Sequence, residues 1–133
     1  MKNLLKKIFG GDADSPSSAA RKSLTDYFEN AQSVEWIKIE NGFEAIFYIN
    51  NQEYIAHISN EGILLEYKIN LDPSNLPDII KVSAREYGEL MNSISIHKTG
   101  KDITYELITR NKQLERFTVL FKADGTFIRK TKL

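Results

Sequence analysis

The sequence has no cysteine, three prolines, two histidines and one tryptophan among its 133 residues, and no net charge, since 18 Lys and Arg balance 18 Asp and Glu. The missing cysteine excludes thiol catalysis, zinc–thiolate sites and cysteine-linked lipid, and leaves either redox compartment open. The missing positive balance argues against a general nucleic-acid binder, which is normally clearly basic. Near the N-terminus the apolar runs in Met1 to Gly11 stop at two residues, against the about 7 to 15 of a signal peptide. This reading points to the cytoplasm. What remains is 41% hydrophobic residues, the composition of one soluble globular domain rather than a disordered, collagenous or membrane-spanning chain. A chain of this size buries roughly two-thirds of its unfolded surface without disulfide or metal.

Residues 1–17 read as a basic amphipathic segment and a flexible linker. Leu4, Leu5, Ile8 and Phe9 share one helical face, with Lys2, Lys6 and Lys7 around it, a pattern suited to weak contact with an anionic membrane surface or to a partner groove, although a helix this short is marginal alone and a tail docked on its own domain or frayed is the expected reading. Gly10 to Ser17 then leaves nothing to pack, so the folded domain begins near Ser18. It contains a repeat, about 18–70 and 71–133, in which each unit opens with a helical pattern and continues with four short alternating runs. The first helix is expected from Ser18 to about Asn30, with Ala20, Leu24, Tyr27, Phe28 and Ala31 at helical spacing. The second is expected from Ser74-Asn75-Leu76-Pro77, with Ile80, Ala84, Tyr87 and Met91 on one stripe. Asn41-Gly42, Asn50-Asn51 and Asn60-Glu61-Gly62 mark the turns of the first unit; Thr99-Gly100, the loop Arg110 to Gln113 and Ala123-Asp124-Gly125 mark those of the second.

Turn positions set the register, and the register assigns faces. With Glu40 opposite Phe43 and Ile49 opposite Gln52, one side of the first unit carries Val34, Trp36, Phe43, Ala45, Phe47, Ile49, Tyr54, Ala56, Ile58 and Leu64. Its counterpart in the second unit carries Ile94, Ile96, Ile103, Tyr105, Leu107, Phe117, Val119, Phe121 and Phe127. These sides are the expected core, covered by the helices, with Trp36 a core residue. The opposite side of the first unit holds Ile37, Ile39, Glu44, Ile46, Tyr48, Glu53, Ile55, His57, Ile63, Leu65, Tyr67 and Ile69, of which nine are Ile, Leu or Tyr. The matching positions of the second unit, from Ser95, His97 and Asp102 through Thr104, Glu106, Ile108, Arg116, Thr118, Leu120, Thr126 and Ile128 to Lys130, hold only three large apolar residues. An open sheet normally keeps its outer face polar. A second apolar face must therefore be covered by the N-terminal segment, by a second copy of the chain, or by a foreign partner or apolar ligand.

Charge divides in the same way. Leu24 to Asn70 sets two lysines against eight acids, a net of −6, and Leu71 to Leu133 sets eleven bases against eight acids, a net of +3. Such halves can steer a charged partner, or are simply solvated surfaces. Arg129-Lys130-Thr131-Lys132 is too brief for a nucleic-acid patch. His57 falls across from Glu44, which suggests a cross-strand pair before a general base. His97 is expected to be exposed beside the Thr99-Gly100 turn, opposite Asp102. The spacing offers no metal-ligand set, nucleophile motif or phosphate loop, so neither metal, cofactor nor catalysis is expected.

The run Phe28-Glu29-Asn30-Ala31-Gln32-Ser33-Val34-Glu35-Trp36, with Asn60-Glu61-Gly62, Leu76-Pro77, Tyr87-Gly88 and Ala123-Asp124-Gly125, resembles the PepSY-like, beta-lactamase-inhibitor-like family of bacterial proteins over about residues 20–133. The family often has proline where Glu29 stands, and its members are usually exported. The resemblance implies an α+β fold in which two tandem helix-plus-four-strand units form one curved eight-stranded antiparallel sheet with helices on one face. It also implies a concave sheet face that grips a partner, as in the inhibitor of that fold. The resulting expectation is a non-catalytic protein-binding module, an inhibitor or adaptor, using Ile37, Ile46, Tyr48, Ile55, His57, Leu65 and Tyr67. Its partner is a protein or a second copy of the chain, with an apolar-ligand carrier or a homodimeric scaffold as alternatives.

Overall fold

In the computed structural model the described residues are 15–133, and the basic amphipathic stretch lies outside them. Eight strands are hydrogen-bonded in chain order into one open antiparallel sheet: β1 (Gln32–Ile39), β2 (Gly42–Ile49), β3 (Gln52–Ile58), β4 (Leu64–Asn70), β5 (Glu89–Lys98), β6 (Thr104–Arg110), β7 (Arg116–Lys122) and β8 (Phe127–Lys132). Helix α1 (Ser18–Tyr27) precedes β1 and helix α2 (Asp78–Ala84) precedes β5. This is the expected α+β class. The chain divides into two units, the first ending at Tyr67 and the second spanning Lys68–Leu133.

In the first unit, Ser17 caps α1: its hydroxyl oxygen accepts from the Ala20 N–H at 3.1 Å and its O–H donates to the Asn60 carbonyl at 2.9 Å. One side chain thus satisfies an orphan helix donor and ties the helix start to the β3–β4 turn. That turn is tight. A Cβ on Gly62, whose φ is +88°, would lie 2.7 Å from the Ala19 carbonyl oxygen. Ala20 and Leu24 pack on Phe43, Ala45, Phe47, Ala56, Ile58 and Leu64, with Val34, Trp36, Ile49 and Tyr54 beside them. Every residue expected on the core side of this unit is in that cluster. Burying a side chain such as Phe47 or Ile58 contributes about 1.5–3 kcal/mol. The rings of Phe28, Phe47 and Tyr54 add tilted and stacked contacts at 4.9–5.9 Å between centroids.

The β2–β3 register is the expected one, Ile49 opposite Gln52, with Asn50 and Asn51 both at positive φ as a tight hairpin requires. The β1–β2 register differs. Ile39 faces Gly42, so Glu40 and Asn41 form the turn. The shift is two residues, and because side chains alternate with period two, every face assignment survives it. Strand β4 breaks the alternation: Leu64 and Tyr67, three residues apart, both join the helix-side cluster.

In the second unit, Leu76, Ile80 and Ala84 pack on Leu107, Val119 and Phe121, with Tyr105 and Phe117 alongside. Helix α2 is shorter than its apolar stripe suggests. A 3-10 turn at Arg85–Tyr87 follows it, then Gly88 at φ +119°, where a Cβ would lie 2.4 Å from the Arg110 carbonyl oxygen. That close approach lets β5 begin at Glu89, so Met91 lies in a strand and not on the helix. Asp72, and not Ser74 or Asn75, supplies the capping oxygen in this region, accepting from the Ser74 N–H at 2.9 Å ahead of the 3-10 turn Pro73–Asn75.

The β5–β6 hairpin corrects the sequence reading more deeply. A two-residue Thr99-Gly100 turn would set Ile96 opposite Ile103, but Ile96 faces Thr104, Ser95 faces Tyr105 and Ser93 faces Leu107. The connection is longer by one residue, with the Lys101 N–H donating to the Lys98 carbonyl at 3.0 Å and Gly100 at φ +74°. One residue of slip exchanges the faces. Ser93 and Ser95 are therefore the core-side residues of β5, and Ile94 and Ile96 stand on the side away from α2. In β8 a register shift at Phe121 leaves Phe127 facing Phe121 and Lys130 facing Val119, so Lys130 is also on the core side, its Nζ 4.5 Å from the centre of the Phe117 ring.

Candidate protein-binding face

The side of β1–β3 turned away from α1 is built from three cross-strand rows. Glu44 lies between Ile37 on β1 and His57 on β3, Ile46 lies between Glu35 and Ile55, and Tyr48 faces Glu53. Directly opposed residues have Cβ atoms about 4.5–5.5 Å apart, so Ile37, Ile46, Tyr48, Ile55 and His57 form one patch. Ile46 at its centre is 7% exposed, whereas Tyr48 is 40% exposed and offers a ring and a hydroxyl. That hydroxyl donates to Glu53 Oε2 at 3.3 Å. The negative charge of Glu53, foremost, holds the phenol pKa above its ordinary value, with Glu35 adding to the effect.

His57 Nε2 is buried and has no hydrogen-bond partner among the described residues. A buried ring nitrogen left unsatisfied costs about 1–3 kcal/mol, an expense that packing alone does not require. Glutamates 35, 44 and 53 share the face, and no lysine or arginine of β1–β3 does, because Lys38 stands opposite Phe43 on the core side. The patch is apolar at its centre and negative around it.

Two of the seven expected contact residues fall elsewhere or at the margin. Tyr67 belongs to the helix-side cluster, its ring 5.2 Å from Phe28 and stacked on Tyr54 at 6.3 Å. It is removed from the face because β4 departs from strict alternation. Leu65 is 39% exposed on the same strand, and no register pair fixes its side. Sequence reasoning also overstated the contrast between units. With β5 in its observed register, Ile94 and Ile96 join Ile108 and Leu120 on the side of the second unit away from α2, so that side is mixed and not solvated throughout.

Sequence reasoning missed one polar pair. Ser95 and His97 lie on the core side of β5, with Ser95 Oγ 2.9 Å from His97 Nε2, and burial pushes the His97 pKa below its ordinary value of 6.5. The serine–histidine spacing of two on one strand was readable, but the wrong register had turned both outward. Among the described residues no group of three or more His, Asp and Glu is placed to hold a metal ion. Among the open depressions, one of ≈ 730 Å³ lies in the second unit beside Ile103, Thr104 and Ile128, and one of ≈ 620 Å³ lies in the first beside Ala31, Gln32, Ile49 and Asn51.

No family model matches the chain, and neither does any curated protein. Solved structures do. A BLIP-like protein from Bacteroides fragilis NCTC 9343 superimposes with a TM-score of 0.80 at 14% identity, over 90% of this chain and 87% of that one. A DUF2874 family protein from Bacteroides uniformis ATCC 8492 gives 0.82 at 14% identity, over 89% and 90%. A candidate periplasmic protein from Bacteroides eggerthii DSM 20697 gives 0.81 at 10% identity, over 89% of each chain. At these identities the likeness is one of fold, and the fold is BLIP-like. The cytoplasmic expectation is overturned by the last neighbour, a protein of the same fold that is described as periplasmic. Short apolar runs before Gly11 therefore do not assign this protein to the cytoplasm.

Proposed function

We propose that the protein is a non-catalytic protein-binding module, an inhibitor or adaptor, that holds a partner protein on the outer face of β1–β3. The observation that carries this reading is the patch itself: Ile37, Ile46, Ile55 and Tyr48 stand together on a face from which α1 is absent. Large, rigid side chains in a partly desolvated patch supply most of the energy of protein interfaces. The BLIP-like neighbour supports the same use of the fold, and the PepSY-like resemblance of the Phe28–Trp36 run belongs with it. Residue by residue, Ile37, Ile46, Tyr48, Ile55 and His57 make up the proposed surface, with Leu65 at its margin and Tyr67 excluded.

The acids around the patch favour a partner that is cationic as well as apolar. Replacing Tyr48 and Ile55 together by Asp is expected to abolish capture of the partner while the far-ultraviolet circular dichroism stays unchanged. Val82 is 56% exposed on α2, so Val82→Asp serves as the control and is expected to keep capture intact. Capture that survives the double substitution would refute the surface. Native mass measurement separates a foreign partner from a second copy of the chain, and co-purifying lipid would instead favour an apolar-ligand carrier.

A further inference from the structure

We propose that the open edge of β8 is a second docking site, one that receives an extended acidic segment of another protein as an added strand of the sheet. The site belongs to the second unit and does not depend on the β1–β3 face.

The backbone carries the first part of the argument. Among the described residues β8 has a neighbouring strand on its β7 side alone, and all six of its residues, Phe127–Lys132, are exposed. The Leu133 N–H donates to the Arg116 carbonyl at 2.9 Å, and the register runs on from there with Lys132 opposite Phe117 and Thr131 opposite Thr118. In an antiparallel ladder, hydrogen-bonded pairs alternate with non-hydrogen-bonded ones. Thr131 therefore turns its N–H and C=O toward β7, whereas Lys130 and Lys132 turn theirs out of the sheet. No proline interrupts β8. A row of unpaired backbone groups of this kind is a template for a further strand.

The side chains say which strand it takes. Arg129, Lys130 and Lys132 are the charged residues of β8, and it holds no acid. Lys130 and Lys132 stand on the core side, opposite Val119 and Phe117, and Arg129 stands on the other side, opposite Leu120. Lysines on an edge keep like edges apart: a second copy paired β8 to β8 would set these cations against one another, and an acidic strand reverses the sign. The lysines already hold one carboxylate. Glu115 Oε2 lies 2.8 Å from Lys132 Nζ, and that hydrogen bond, foremost, keeps the carboxyl below its ordinary pKa, with the charge of Lys130 adding to the effect. Lys130 Nζ itself lies over the Phe117 ring, 4.5 Å from its centre, where an incoming acid can reach it. Side chains of a strand alternate faces with period two, so acids at every second position of the added strand meet Lys130 and Lys132 on one face.

The test uses the full chain and a capped hexapeptide in which Glu and Val alternate, read by amide hydrogen exchange. In the free protein the Lys130 and Lys132 amides are expected to exchange freely while that of Thr131 is protected. With the peptide at about ten times its Kd, exchange at Lys130 and Lys132 is expected to slow about 10-fold. A hexapeptide of alternating Glu and Pro has the same charge but lacks the ladder donors, and is expected to change nothing. Lys130→Pro removes an outward N–H and leaves the bonds to β7 in place; it is expected to bind the Glu–Val peptide about 10-fold more weakly than Lys130→Ala. A chain carrying Arg129→Glu and Lys130→Glu keeps its backbone donors and is expected to lose the Glu–Val peptide and to bind one of alternating Lys and Val. No slowing at Lys130 and Lys132 would overturn the proposal, as would equal slowing by the Glu–Pro peptide, which would make the contact one of charge without strand addition. Protection of those two amides that rises with protein concentration in the absence of peptide would also overturn it, since the occupant would then be a second copy.

Discussion

His97 and Thr109 show how single side chains on the core side of the second unit set measurable properties. Burial lowers the pKa of His97 from its ordinary 6.5, so between 6.5 and the lower folded-state value the unfolded chain binds the proton and the folded chain does not. Stability is then expected to be flat above pH 6.5 and to fall as the pH drops below it. Denaturant midpoints for wild type and His97→Asn between pH 5 and 8 check this, and the variant is expected to show a shallower fall. Thr109 is fully buried and its Oγ1 has no partner among the described residues. Thr109→Val removes an unsatisfied hydroxyl while keeping the shape, and is expected to stabilise the protein by about 1 kcal/mol by equilibrium unfolding. Neither residue's situation could be read in advance. Sequence periodicity says which side a residue is on only after the register is known, and no pattern tells whether a buried hydroxyl finds an acceptor.

At the level of elements, turns decided what was legible. The turns Asn60-Glu61-Gly62 and Ala123-Asp124-Gly125 have the same geometry, with Gly62 and Gly125 each donating to the carbonyl three residues back at 3.0 Å and φ near +90°. Their chemistry announced them. At Asn41-Gly42 the familiar two-residue signal placed the turn one residue too late in the chain, yet the faces survived because the slip was even. At Thr99-Gly100 the slip was odd and reversed β5. The two glycines differ in the same sense energetically. A Cβ on Gly42 would meet the Ile58 carbonyl oxygen at 2.3 Å, whereas one on Gly100 would meet nothing within 4 Å. Gly100→Ala is expected to cost only the left-handed backbone strain, about 1 kcal/mol. Gly42→Ala is expected to cost at least about 2 kcal/mol more, because β3 must move. Thermal unfolding of the pair measures the difference. Ser17→Ala, which removes the α1 cap, is expected to cost about 1 kcal/mol.

At the scale of the whole molecule, the helix-then-four-strands repeat made the α+β class and the strand count readable, because two weak copies of a pattern constrain each other. The first unit's patch was readable as well, since Ile37, Ile46, Tyr48, Ile55 and His57 keep strict alternation through β1–β3. Tyr67 was misread because alternation fails in β4, and the unit-to-unit contrast was overdrawn because β5 was reversed. The zero net charge of the chain conceals a −6 stretch and a +3 stretch, and it is the acidic stretch that carries the patch. The most direct measurement of the central claim is photo-crosslinking from the face itself. A benzophenone amino acid in place of Tyr48, and separately in place of Val82, is activated in cells that produce the protein. The account predicts a covalent adduct with one foreign protein from position 48 and none from position 82. An adduct from position 82 alone, or from position 48 only to a second copy of this chain, would contradict it.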